Sequence, residues 1–91
     1  MTTLPTIHLN GTGADTLLQE YRALRNAANA ASDALAKATC NGRDFYPQGE
    51  AAWQAARAER DEAFRMLNAV IEYAEAWELR AMDAKRGKGG N

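Results

Sequence analysis

One stripe constrains this chain more than any other feature. Between Glu50 and Lys85, residues Trp53, Ala56, Arg60, Ala63, Leu67, Val70, Ala74, Trp77 and Ala81 recur at alternating steps of three and four. That spacing predicts one face of a long helix packed along a partner, as in a coiled coil. Eight of the nine positions are apolar or small, and the ninth, Arg60, puts a charge in the seam.

The partner lies upstream. Leu17, Tyr21, Leu24, Ala28, Ala31, Leu35 and Ala38 repeat at steps of 4, 3, 4, 3, 4 and 3, which predicts a helix over 14–39. Thr12 and Asp15 approximate a capping box at its start, and Asn41-Gly42 supplies the left-handed backbone of its end. Its many alanines favour helix and allow close approach of a neighbour. Residues 40–49 are expected to form a loop. Pro47 suits the first turn of a second helix over 50–85, and Glu50 suits the positive end of its dipole. Residues 1–13, punctuated by Pro5, Asn10-Gly11 and Gly13, read as an arm with β character at Thr6-Ile7-His8-Leu9. Residues 86–91 form a basic, glycine-rich tail. The fold class predicted is all-α: an antiparallel two-helix hairpin with a short N-terminal arm.

In an antiparallel hairpin, facing residues keep a constant index sum. A sum of 91 sets Leu35 on Ala56, Ala31 on Arg60, Leu24 on Leu67, Tyr21 on Val70 and Leu17 on Ala74. Large residues then mostly face small ones. Any two heptads of opposite direction also register once in seven shifts. The second helix is the longer, at roughly 54 Å against roughly 40 Å. In this register its overhang carries Trp77, Leu79 and Met82, with Ile7 and Leu9 of the arm placed to fold over it. Phe64, Ile71 and Met82, beside Met66 and Tyr73, form a second apolar stripe. A core made largely of alanine is thin, and a short chain with an uncovered stripe is expected to assemble into a helical homo-oligomer.

Eleven Lys and Arg against twelve Asp and Glu give a net charge of −1, which argues against a duplex nucleic-acid binder. No run of 18 apolar residues occurs, so no membrane span is expected, and the first residues lack the features of a signal peptide. A single cysteine, Cys40, fits a cytoplasmic protein. His8 and Cys40 stand apart, whereas metal sites cluster their ligands, so neither metal nor cofactor is expected. No nucleophile, base and acid set is present, so the chain is expected not to be an enzyme. Asn10-Gly11-Thr12-Gly13 lacks the lysine and spacing of a phosphate loop. Glu72, Glu75 and Glu78 read as a solvated face. The candidate site is instead Arg43, Arg57, Arg60 and Arg65 with Phe45, Tyr46 and Trp53. Arginine binds phosphate bidentately and aromatic rings stack on bases. Arg60, with no acid across the seam, must reach solvent, pair with Asp33 or Glu59, or meet an anion. The alternative is an ordinary salt-bridged surface with aromatics closing the hairpin.

The run Trp53, Arg57 and Phe64-Arg65-Met66-Leu67-Asn68-Ala69-Val70 on a long helix pair resembles the small phage proteins that sequester cyclic-nucleotide immune signals. These are the anti-CBASS and anti-Thoeris sponges. The resemblance covers about residues 14–80. It departs from the family's Phe-Met-x-Leu-x-Arg-Ala-Val-like segment, because Arg65 intervenes before Met66 and Asn68 stands where the pattern has arginine. The 41–49 segment also looks like small prophage-encoded proteins. The resemblance implies a symmetric oligomer, a hexamer, in host cytoplasm. It would bind cyclic oligonucleotides or a cyclic ADP-ribose isomer without breaking a bond. Arg43, Arg57 and Arg60 would meet phosphates, and Tyr21, Phe45 or Tyr46 would stack on bases. The competing expectation is a phage or prophage hairpin that docks on a host protein.

Overall fold

The computed structural model describes residues 2–7 and 12–87. Helix α1 (Ala14–Lys37) and helix α2 (Glu50–Gly87) run antiparallel, joined through a 3-10 segment (Gly42–Gln48). The fold is all-helical among these residues. The arm at 2–7 forms no strand, and the predicted features at His8, Leu9 and Asn10-Gly11 lie outside the described residues, as does the end of the tail. The radius of gyration is 19.2 Å, against about 12 Å for a compact chain of this length. The molecule is a rod of 63 × 22 × 18 Å.

The helix ends differ from expectation. Gly13 occupies the N-cap of α1 with no side-chain bond, so Thr12 and Asp15 form no capping box. Asp15 instead meets Lys85 Nζ at 2.6 Å. The chain leaves α1 through extended backbone at Ala38, not through a left-handed Asn-Gly. Asn41 serves the next element, its side chain accepting the Arg43 N–H at 3.1 Å. The stretch expected to be loop is therefore largely a capped 3-10 helix. The left-handed glycine is Gly49, at φ 94° and ψ 176°, a region open essentially to glycine alone. Gly49→Ala is expected to cost about 1–2 kcal/mol for this reason alone, since an added Cβ meets nothing within 4 Å. Gly13→Ala, where φ is −69°, is expected to cost nothing measurable. Urea denaturation of the two variants checks the pair.

The helices pair one heptad away from the register of 91. Tyr21 stacks on Trp77 with ring centroids 4.5 Å apart, and Leu17 and Leu18 pack with Ala81. These pairs have index sums of 98 and 99. The slide moves Arg60 off Ala31 to the C-terminal end of α1. There its guanidinium donates to the carbonyls of Leu35 (2.9 Å) and Ala36 (3.3 Å), in the last turn, where carbonyls lack the N–H of a following turn; Leu35 also accepts the Ala38 N–H at 3.1 Å. Its Cζ also lies 5.5 Å from the Phe64 ring centroid. The slide also moves the overhang. The first residues of α2, not the last, project beyond α1, and the 3-10 segment packs there. Trp77 is covered by Tyr21. Ile7 of the arm packs on the Leu17, Leu18 and Ala81 cluster, and Arg80 Nε donates to the Pro5 carbonyl at 3.1 Å.

α1 is also rolled relative to the predicted seam. Its covered positions include Leu17, Leu18, Tyr21, Arg25, Ala28, Ser32 and Leu35, while Leu24, Ala31 and Ala38 are exposed. On α2 the predicted seam holds at every position but Val70, which is exposed, and Phe64, Ile71 and Glu78 widen the covered face to one side. Phe64 and Ile71, expected on an uncovered stripe, are half-buried. Met66, Tyr73 and Met82 are exposed.

The reason for the roll is Glu78, 6% exposed. Its carboxylate accepts from Arg25 Nε at 2.5 Å, from Arg25 Nη2 at 3.2 Å and from Arg22 Nε at 3.4 Å. A carboxylate expected on a solvated face is thus a buried, twice-paired anion. It draws Arg25 inward where an apolar stripe alone would have chosen Leu24.

Candidate functional site

The candidate site lies at the loop end. Asn41 caps the 3-10 segment, which turns Phe45 toward α2. Gly42 lets the Trp53 indole lie against backbone, since a Cβ there would sit 3.3 Å from the ring. The Phe45 and Trp53 centroids are 5.8 Å apart at an interplanar angle of 35°. One turn further along α2, Arg57 Cζ lies 5.7 Å from the Trp53 centroid, a cation–π distance. Gly42, Arg43, Phe45, Tyr46, Gly49, Glu50 and Trp53 line a cleft of about 290 Å³. Tyr46 stands at its mouth, 82% exposed. Glu50 accepts a hydrogen bond from Gln54 Nε2 at 2.6 Å.

The structure therefore brings together Arg43, Phe45, Tyr46, Trp53 and Arg57. Arg60 sits nearby, its Nη2 donating to carbonyls of α1. Tyr21 is elsewhere. It stacks on Trp77, and Trp77 lies 24 residues beyond Trp53 on α2, roughly 36 Å along the helix. There Tyr21 also meets Tyr73, with centroids 6.0 Å apart. Hydrogen bonding to Tyr73, aided by burial, raises the Tyr21 phenol above its usual pKa of 10.0. The Glu78 hydrogen bond likewise raises the pKa of the Arg25 guanidinium above its usual range. Both groups keep their protons at any physiological pH.

Arg22, Arg25 and Glu78 make the strongest polar cluster, and sequence reasoning missed it. The signal available was that Glu78 continues the Phe64 and Ile71 row at a spacing of seven, so a face containing that row had to bury an acid. Among the described residues, no group of three or more His, Cys, Asp or Glu side chains could hold a metal ion.

The loop end offers two guanidinium groups, an exposed phenol and the edges of two partly covered rings. Asp44 and Glu50 balance the charge locally. The set suits binding of an anion that also carries a planar ring, such as a nucleotide. No family model, curated protein or solved structure matches the chain.

Proposed function

We propose that this chain is a non-enzymatic nucleotide-binding hairpin, working as a homo-oligomer. In this reading it is a phage-encoded sponge that binds cyclic nucleotide immune messengers in host cytoplasm and lowers their free concentration. Arg43 and Arg57 meet phosphate oxygens, while Tyr46 and Phe45 stack on a base. Arg60 holds the end of α1 beneath them. Tyr21 belongs to the packing of the far end and has no part in the site.

The support comes chiefly from a difference among the arginines. Among the described residues, the side chains of Arg22, Arg25, Arg60, Arg65, Arg80 and Arg86 all donate to protein oxygens. Arg43 and Arg57 have no such bond, and these two flank the aromatic cleft. No described helix is long and apolar enough to cross a membrane, which accords with a ligand taken from solution.

Calorimetric titration with cyclic dinucleotides, cyclic trinucleotides and cyclic ADP-ribose isomers tests the proposal. At least one is expected to bind and to be recovered chemically intact after the protein is denatured. Arg57→Ala and Arg43→Ala are each expected to weaken that binding about 10- to 100-fold, the value of one charge-assisted hydrogen-bonding group. Absence of heat with every member, or recovery of a hydrolysed ligand, sinks it.

A further inference from the structure

The roll of α1 leaves one side of the hairpin uncovered. Leu24, Ala27, Ala31 and Ala34 follow one another on α1 at steps of three and four, and all are exposed. On α2, Met66, Val70 and Tyr73 do the same, with Met66 60% exposed. Both rows lie on the same side. Tyr73 and Trp77 flank Tyr21 there, whereas Glu78 with Arg22 and Arg25 marks the opposite side. No charged residue interrupts either row.

We infer that this face receives a second copy of the chain, face to face about a two-fold axis parallel to the helices, forming an antiparallel four-helix bundle. The inference specifies the self-association within the function proposed above, but its evidence is separate from the cleft. The first argument is shape. The α1 row is small and the α2 row is large, so the face is self-complementary only when α1 of one copy lies over α2 of the other. A two-fold axis along the helices produces that arrangement and keeps every residue at its own height. At the hairpin's index sum of 98, Val70 of the second copy is level with Ala28, between Ala27 and Ala31. Met66 is then level with Ser32, between Ala31 and Ala34, and Tyr73 lies beside Leu24. Val70 and Met66 meet alanines in both directions, Tyr73 and Leu24 make an apolar contact at one end, and the crossed pairs are antiparallel, as in up-down bundles.

The second argument is area. The chain exposes 6510 Å², against about 5,200 Å² for a globular chain of its mass. The surplus exceeds the roughly 800 Å² that each partner contributes to a standard interface. Among the described residues no large side chain is fully buried, and the buried apolar ones are Leu17, Leu18, Ala28, Ala74 and Ala81. Stacking two faces supplies the layer that is missing.

Light scattering during gel filtration tests this without any ligand. The wild type is expected at an even multiple of 9.9 kDa, a hexamer being three such pairs. Ala31→Glu and Met66→Lys alter exposed helix positions with good helix formers, so each is expected to keep its helical circular dichroism while the two-fold contact fails and the mass falls at least twofold. Mixing the two variants is expected to restore pairing in one-to-one hetero-assemblies, because the new charges then oppose each other across one half of the contact. A monomeric or trimeric wild type, folded single variants of unchanged mass, or a mixture that fails to pair each overturns the inference. Ala27→Glu gives an independent repeat at a neighbouring position.

Discussion

Replacing Glu78 with alanine is expected to destabilise the hairpin by about 3 kcal/mol, the low end of the range for breaking a buried ion pair. The low end applies because Arg25 and Arg22 are 30% and 50% exposed in their side chains and can turn partly to water once the carboxylate is gone. Two like charges three residues apart on α1 are then left without the anion that joins them to α2. For a domain of this size the change lowers the melting temperature by roughly 10–20 °C at fixed protein concentration. Glu72→Ala, on an exposed position of the same helix, is expected to change it little. Equal effects of the two substitutions would show that Glu78 is as solvated as the sequence suggested. The register is also at stake. Without Glu78, the one-heptad alternative that sets Leu24 on Leu67 becomes a competitor, and spin labels on the two helices would report a slide of one heptad, roughly 10 Å.

The second large effect is expected at Trp77. Its ring stacks on Tyr21 at 12°, lies 6.1 Å from Tyr73 and packs on the Leu17, Leu18 and Ala81 cluster. Trp77→Ala removes that contact from a core with little else in it and is expected to cost about 3 kcal/mol, the low end for tryptophan truncation because the side chain is half-covered. Trp77→Phe should behave differently. The indole Nε1 is buried with no hydrogen-bond partner among the described residues, so phenylalanine keeps most of the stacking and removes an unsatisfied donor. That variant is expected within about 1 kcal/mol of wild type. A phenylalanine variant as unstable as the alanine one would mean that the nitrogen does find a partner in solution.

The antiparallel hairpin was legible because heptad spacing is a property of composition along the chain. The register was not, because spacing repeats every seven residues and is blind to a slide of seven. What chooses between the two registers is polar. One puts Arg60 against Ala31, with a charge opposite a methyl group. The other puts it at the last-turn carbonyls of Leu35 and Ala36. The roll escaped for a related reason. Leu24 and Arg25 are adjacent, and apolar pattern alone always prefers the leucine. Arg25 wins because Glu78 waits across the interface, and nothing local to either residue announces the pair. At the candidate site, Arg43, Phe45 and Tyr46 were legible as a group because they are consecutive or nearly so, and Arg57 because it follows Trp53 by one helical turn. Tyr21 had no such tie of proximity, and the fold carries it to the other end of the rod.

The displaced overhang has a consequence for how the molecule breathes. From the arm to the Glu78 clamp, α2 is braced by α1, two aromatic stacks and a buried ion pair. From Glu50 to about Glu59 it leans on the 3-10 segment alone. Cooperative units with few packed neighbours open without the rest of the chain. Backbone amides around Trp53 should therefore exchange with solvent far sooner than those around Ala74. The loop end is then expected to open before the rest of the rod, and part of the binding energy of a molecule held by Arg43 and Arg57 would be spent on ordering it.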